Sequence, residues 1–151
     1  MLTLVGAGLI IMIQPLCAQS IDDYLEVARD VLKTEKKAAV AEAMQLTEAE
    51  SGPFWELYNE YNAELYKVHT DRVNIIKNFK VAMTDEEADA AVNNIHAYQS
   101  KLIALNKAYY KKFKKIMPAS RVARYFQIEN KIDALINFRL AQEIPLIESS
   151  N

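Results

Sequence analysis

Leu46-Thr47-Glu48-Ala49-Glu50 and its near-copy Met83-Thr84-Asp85-Glu86-Glu87 decide the fold of this chain. Each sets a threonine three residues ahead of a glutamate. That spacing is a capping box: the hydroxyl accepts from one orphan N–H of a helix start, and the carboxylate reaches back to another. Thr47 with Glu50, and Thr84 with Glu87, therefore mark two helix starts, with Leu46 as the apolar residue ahead of the first. Behind the first runs the stripe Phe54, Tyr58, Tyr61, Leu65, Val68, Arg72, Ile75 and Phe79. Behind the second runs Ala88, Ala91, Ile95, Tyr98, Leu102, Leu105, Tyr109, Phe113 and Ile116. Steps alternating near four and three make a helical seam.

Two further helices complete the reading. Ser20 caps a first helix that runs to about Gln45, with Ile21, Tyr24, Leu25, Ala28, Val31 and Leu32 on one face. Pro118 ends the third helix, and a fourth runs from about Ala119 to Glu143 on Val122, Tyr125, Phe126, Ile132, Ile136 and Leu140. Gly52-Pro53 predicts either an irregular first turn in the second helix or a regular start at Pro53. The second and third helices, about 32 residues each, would reach roughly 48 Å. Short connections make neighbours antiparallel. The expected fold is all-α, an elongated antiparallel four-helix arrangement built on a long helical hairpin.

Composition agrees. The 151 residues include only 3 Gly and 4 Pro, with 51% apolar and 25% charged residues. Strand-rich folds need more turn residues than that, and no Gly-rich phosphate loop is present. The apolar content argues against disorder.

Residues 1–18 differ from the rest. They carry no charged side chain, and their apolar run stops at Ile13, short of the roughly 20 residues that span a bilayer. This fits the apolar region of a secretory signal, without a basic leader, and Leu16-Cys17-Ala18 predicts cleavage after Ala18. Lipidation at Cys17 is the alternative, against which the bulky Leu16 stands. The expectation is an exported, periplasmic domain at 19–151 with no cysteine and a net charge of −2.

Charge order sets a register. Six acids (Glu42, Glu48, Glu50, Glu56, Glu60, Glu64) lie between Ala38 and Tyr66 with no base. Eight bases (Lys101, Lys107, Lys111, Lys112, Lys114, Lys115, Arg121, Arg124) lie between Ala90 and Ile128 with no acid. A hairpin folded at Ala82 would set Glu56 level with Ala108, Glu60 with Ala104 and Glu64 with Ser100. Each exposed pair contributes about 0–1 kcal/mol, and together they disfavour slipped alternatives.

The caps and long helices resemble the Spy/CpxP (LTxxQ) superfamily of periplasmic proteins. Leu46-Thr47-Glu48-Ala49-Glu50 matches its first motif with Glu50 in the Gln place. Met117-Pro118-Ala119-Ser120-Arg121 stands where the second motif falls and lacks its Thr and Gln. A closer likeness is to an uncharacterised exported branch, through Phe54-Trp55…Tyr58…Tyr61, Ala123-Arg124-Tyr125-Phe126-Gln127-Ile128-Glu129-Asn130-Lys131 and Ile144-Pro145-Leu146-Ile147. The resemblance implies ATP-independent chaperones, envelope-stress sensors or metal-responsive proteins. Its chaperone members are cradle-shaped dimers of helical hairpins, which makes a homodimer an expectation.

No nucleophile-base set assembles from two histidines and one cysteine in the presumed signal, so no enzyme and no cofactor are expected. His69 and His96 fall level in the hairpin and, with Asp71 or a nearby Glu, could hold a divalent ion; flank histidines are the plainer reading. Arg72 and Glu129 interrupt apolar stripes. Glu129 is placed near Lys36, Tyr58 and Lys107, and Arg72 near Asp22 and Glu143, as buried or half-buried ion pairs that fix register, with a functional relay as the other reading. The basic stretch Lys111 to Lys115 reads as a solvated face, with anionic lipid or an unfolded client as the other readings; export argues against nucleic acid. Phe54, Trp55, Tyr58, Tyr109, Tyr110 and Phe113 gather at one end as a candidate client-binding surface wherever they stay exposed. Unfolded or membrane-associated proteins are the expected partners. A metal-responsive sensor or an adaptor for a membrane signalling partner is the alternative function.

Overall fold

The computed structural model describes residues 34–144 and 146–148. The presumed signal, Cys17, the Ser20 cap, the early stripe from Ile21 to Leu32, Asp22 and Pro145 lie outside the described residues. The chain divides into two units, Met1–Ala38 and Ala39–Asn151. The hydrophobic core lies within the second.

The chain is all-α, with four helices among the described residues. The described part of α1 covers residues 34–44. The others are α2 (Glu48–Lys77), α3 (Asp85–Phe113) and α4 (Ala119–Glu143). Both capping boxes form. Thr47 Oγ1 accepts from the Glu50 N–H at 3.3 Å, and Glu50 Oε2 accepts from the Thr47 N–H at 3.0 Å. Thr84 and Glu87 repeat this at 3.2 and 3.0 Å.

Pro53 neither begins α2 nor distorts its start. It sits just inside the regular helix. The hydrogen bond it cannot donate would go to Ala49, one turn from the end and exposed, where water reaches the carbonyl. α3 stops at Phe113, a few residues before the expected Ile116. Lys115 and Ile116 donate to Lys112 and Phe113 at 3.0 Å, so residues 114–116 form a tightened turn. Pro118 then caps α4 without a side-chain bond.

α2 and α3 pack antiparallel as a helical hairpin. The register is offset from the expected one. Glu60 meets Tyr109 at 3.0 Å and Lys112 at 2.5 Å, one to two turns beyond Ala104. Asp71 meets Lys101 at 2.7 Å. The cause is the slant of helical side chains toward the N-terminus of their own helix. In an antiparallel pair both slants push contacts to later α3 positions, most for long side chains. Near the connection, Lys80 reaches Glu87 at 2.9 Å.

α4 lies across both helices and runs parallel to α2. Along α2, Glu50 pairs with Arg121, Phe54 and Tyr58 with Tyr125, His69 with Asp133 and Arg72 with Asn137. Val40 and Met44, at the end of α1, are buried in the same core. The break after α1 is made at Gln45, which takes a left-handed conformation (φ 45°). Arg124 Nε and an Arg121 guanidinium N–H donate to the carbonyls of Ala43 and Met44, fastening α1 to the start of α4.

Candidate functional site

The aromatic residues gather at the end of the hairpin away from the connection, as expected, but mostly as core. Phe54, Tyr58, Tyr109 and Phe113 are buried, together with Tyr61 and Tyr125. Phe113 lies 4.8 Å from Tyr125 and 5.6 Å from Phe54, centroid to centroid. Phe54 and Tyr125 meet edge-on at 5.2 Å. Edge-to-face and tilted contacts suit the ring quadrupole and hold the three helices in one arrangement. These four stand in the apolar seam and face inward, so they offer no surface to a client. Trp55 is half-buried against Phe54 and Tyr58. Tyr110, 37% exposed, is the most open of the six.

Polar groups thread this core. The Tyr61 hydroxyl donates to Asn106 Oδ1 at 2.6 Å. Glu129, 2% exposed, faces the phenols of Tyr58, Tyr61 and Tyr125. All three phenols are pushed well above their ordinary value, first by burial and then by the Glu129 charge. They remain neutral O–H donors at any physiological pH. Glu129 is thus buried beside Tyr58 as the sequence indicates, whereas Lys107 is exposed. Lys36 belongs to the first unit, where it is half-buried.

Further toward the connection the seam turns polar. Arg72 is half-buried, donates to Asn137 Oδ1 and lies over the Tyr98 ring, 5.9 Å from its centroid. The partner seen is an amide and a ring face rather than the expected carboxylate. His69 takes the remaining contacts: Nδ1 lies 3.2 Å from the Tyr98 hydroxyl and Nε2 lies 3.8 Å from Asp133. His96 is exposed. Among the described residues, no three of His, Cys, Asp and Glu gather as a group that could hold a metal ion.

What the sequence reading missed is the outer face of α4. Leu135 is 68% exposed and Phe138 is 65% exposed. They stand one turn apart, on the side of α4 opposite Val122, Tyr125 and Glu129, so they are neighbours on one surface. Lys131, Arg139 and Gln142 are exposed around them. The signal was available: both are large apolar residues that fall outside the stripe Ile132, Ile136, Leu140. No helix among the described residues is long and apolar enough to cross a membrane. No protein-family model matches this chain, and neither the curated proteins nor the solved structures contain a match.

Proposed function

We propose that this is a non-enzymatic, chaperone-like binding protein of the cell envelope. It holds unfolded or partly unfolded chains on an amphiphilic helical surface without consuming ATP. The observation that carries this reading is the pair Leu135 and Phe138, both about two-thirds exposed on α4 and surrounded by charged and polar side chains. Apolar groups held in water by a well-packed core attract the apolar segments of unfolded chains. The charged surround keeps the holder itself soluble. The envelope location is supported by the uncharged apolar stretch before Gln14 and by Leu16-Cys17-Ala18.

Light scattering during dilution of a chemically denatured model enzyme tests the proposal. Scattering falls by more than half at near-equimolar protein. Unchanged scattering at a severalfold excess overturns the reading.

A further inference from the structure

We propose that the outward face of the second half of α3 docks onto an anionic lipid surface. The surface is made of Ile103, Lys107, Tyr110 and Lys111, continued by Lys114 and Lys115 in the turn that follows α3. Ile103, Lys107, Tyr110 and Lys114 follow one another at three or four residues, as do Lys107 and Lys111, so they are neighbours on one surface. Ile103 is 54% exposed, Tyr110 is partly exposed, and all four lysines are exposed. No carboxylate pairs with any of the four lysines among the described residues, whereas the neighbouring Lys112 turns the other way to Glu60. Lys114 Nζ lies 5.4 Å from the centre of the Tyr110 ring, which keeps ring and ammonium side by side at the surface.

A helix C-terminus favours bases in its last turn, which accounts for Lys111 and Lys112. It does not account for Lys107, nor for an isoleucine left in water beside it. Like charges four residues apart within a helix, as Lys107 and Lys111 are, weaken it rather than strengthen it. A row of unpaired lysines alongside an exposed aliphatic and an exposed tyrosine is the composition of a helix lying in a membrane interface. The lysines meet lipid phosphates, Ile103 enters the acyl boundary, and Tyr110 sits at headgroup level. An acidic polypeptide would use the lysines but has no use for Ile103. This surface is separate from Leu135 and Phe138, so the proposal stands or falls independently of client binding.

The test is co-sedimentation of the full chain with vesicles of phosphatidylcholine alone and of phosphatidylcholine carrying about one-third phosphatidylglycerol. Each variant keeps the same Met1–Ile13 stretch, so differences between variants report α3 alone. Partitioning onto the anionic vesicles exceeds that onto neutral ones by tenfold or more and weakens with salt. Each of Lys107→Gln, Lys111→Gln and Lys114→Gln lowers it about fivefold. Ile103→Ser lowers it severalfold, with helicity by circular dichroism unchanged. Equal partitioning onto both vesicle types, or a triple lysine variant that binds as the parent does, overturns the proposal. Loss with the lysine variants but none with Ile103→Ser, together with equal binding to soluble polyglutamate, also overturns it and assigns the face to an acidic polypeptide.

Discussion

Glu50, the last member of the α2 capping box, is also the ion partner of Arg121 on α4. Arg121 Nε lies 2.9 Å from Glu50 Oε1, and a second guanidinium N–H donates to Oε2 at 3.0 Å. The same side chain donates to the carbonyls of Met44 and Gln45 at 3.0 and 3.3 Å. One local device that starts a helix thus becomes the joint of α1, α2 and α4. Thr47→Ala should lower unfolding stability by about 1 kcal/mol, as for other lost N-caps. Arg121→Ala removes the ion pair and both carbonyl bonds, so urea titration should show a larger loss. An Arg121→Ala variant as stable as the parent would contradict the joint.

Acid should weaken the fold through the same groups. The Thr47 backbone N–H, aided by the Arg121 charge, holds Glu50 below its ordinary value near 4.5. Lys112 first, then Tyr109, does this to Glu60, and the Thr84 N–H with Lys80 does it to Glu87. A carboxylate whose folded pKa is depressed stabilises the fold fully above the unfolded value. That contribution is lost as pH falls through the folded one. Stability should therefore be flat above about pH 5.5 and decline below pH 4.5, with a shallower decline in an Arg121→Gln, Lys112→Gln variant. Chemical denaturation from pH 7 to pH 3 checks this; stability rising on acidification would contradict it.

Two backbone positions are open to improvement. A Cβ added at Gly52 meets nothing within 4 Å, and Gly52 lies within α2. Gly52→Ala should raise stability by about 0.5–1 kcal/mol. Gln45 holds a left-handed conformation after α1, where glycine is the usual occupant. Gln45→Gly should add about 1 kcal/mol. Paired thermal melts against the parent would show both as higher midpoints.

The aromatic core should respond by size and by polarity. Phe113 is fully buried among four rings, and Phe113→Ala should cost about 3–5 kcal/mol. Tyr61→Phe keeps the ring but leaves Asn106 Oδ1 without its 2.6 Å donor, at about 1 kcal/mol. A Tyr61→Phe loss as large as that of Phe113→Ala would mean that the hydroxyl, not the ring, dominates that site.

Local features were legible from sequence and long-range ones were not. Thr47 with Glu50 and Thr84 with Glu87 act three residues apart, so their spacing contains the whole interaction. The stripe Phe54, Tyr58, Tyr61, Leu65 names the buried positions of α2 because period is burial. That same stripe already placed Phe54 and Tyr58 inside, against their use as a client surface. Glu50 with Arg121 and Tyr61 with Asn106 depend on how helices lean on one another, which no periodicity records. Side-chain slant, invisible in a count of positions, moved Glu60 from Ala104 to Tyr109 and Lys112.

We propose that an exposed outer face, and not the aromatic core, holds unfolded chains. A photo-crosslinking phenylalanine analogue at position 138, irradiated with a denatured model enzyme, is the test. The expected product is a one-to-one adduct at position 138 that fades when Leu135 is changed to Ser. Irradiation that yields no adduct at position 138, while the same protein still suppresses aggregation, would contradict it.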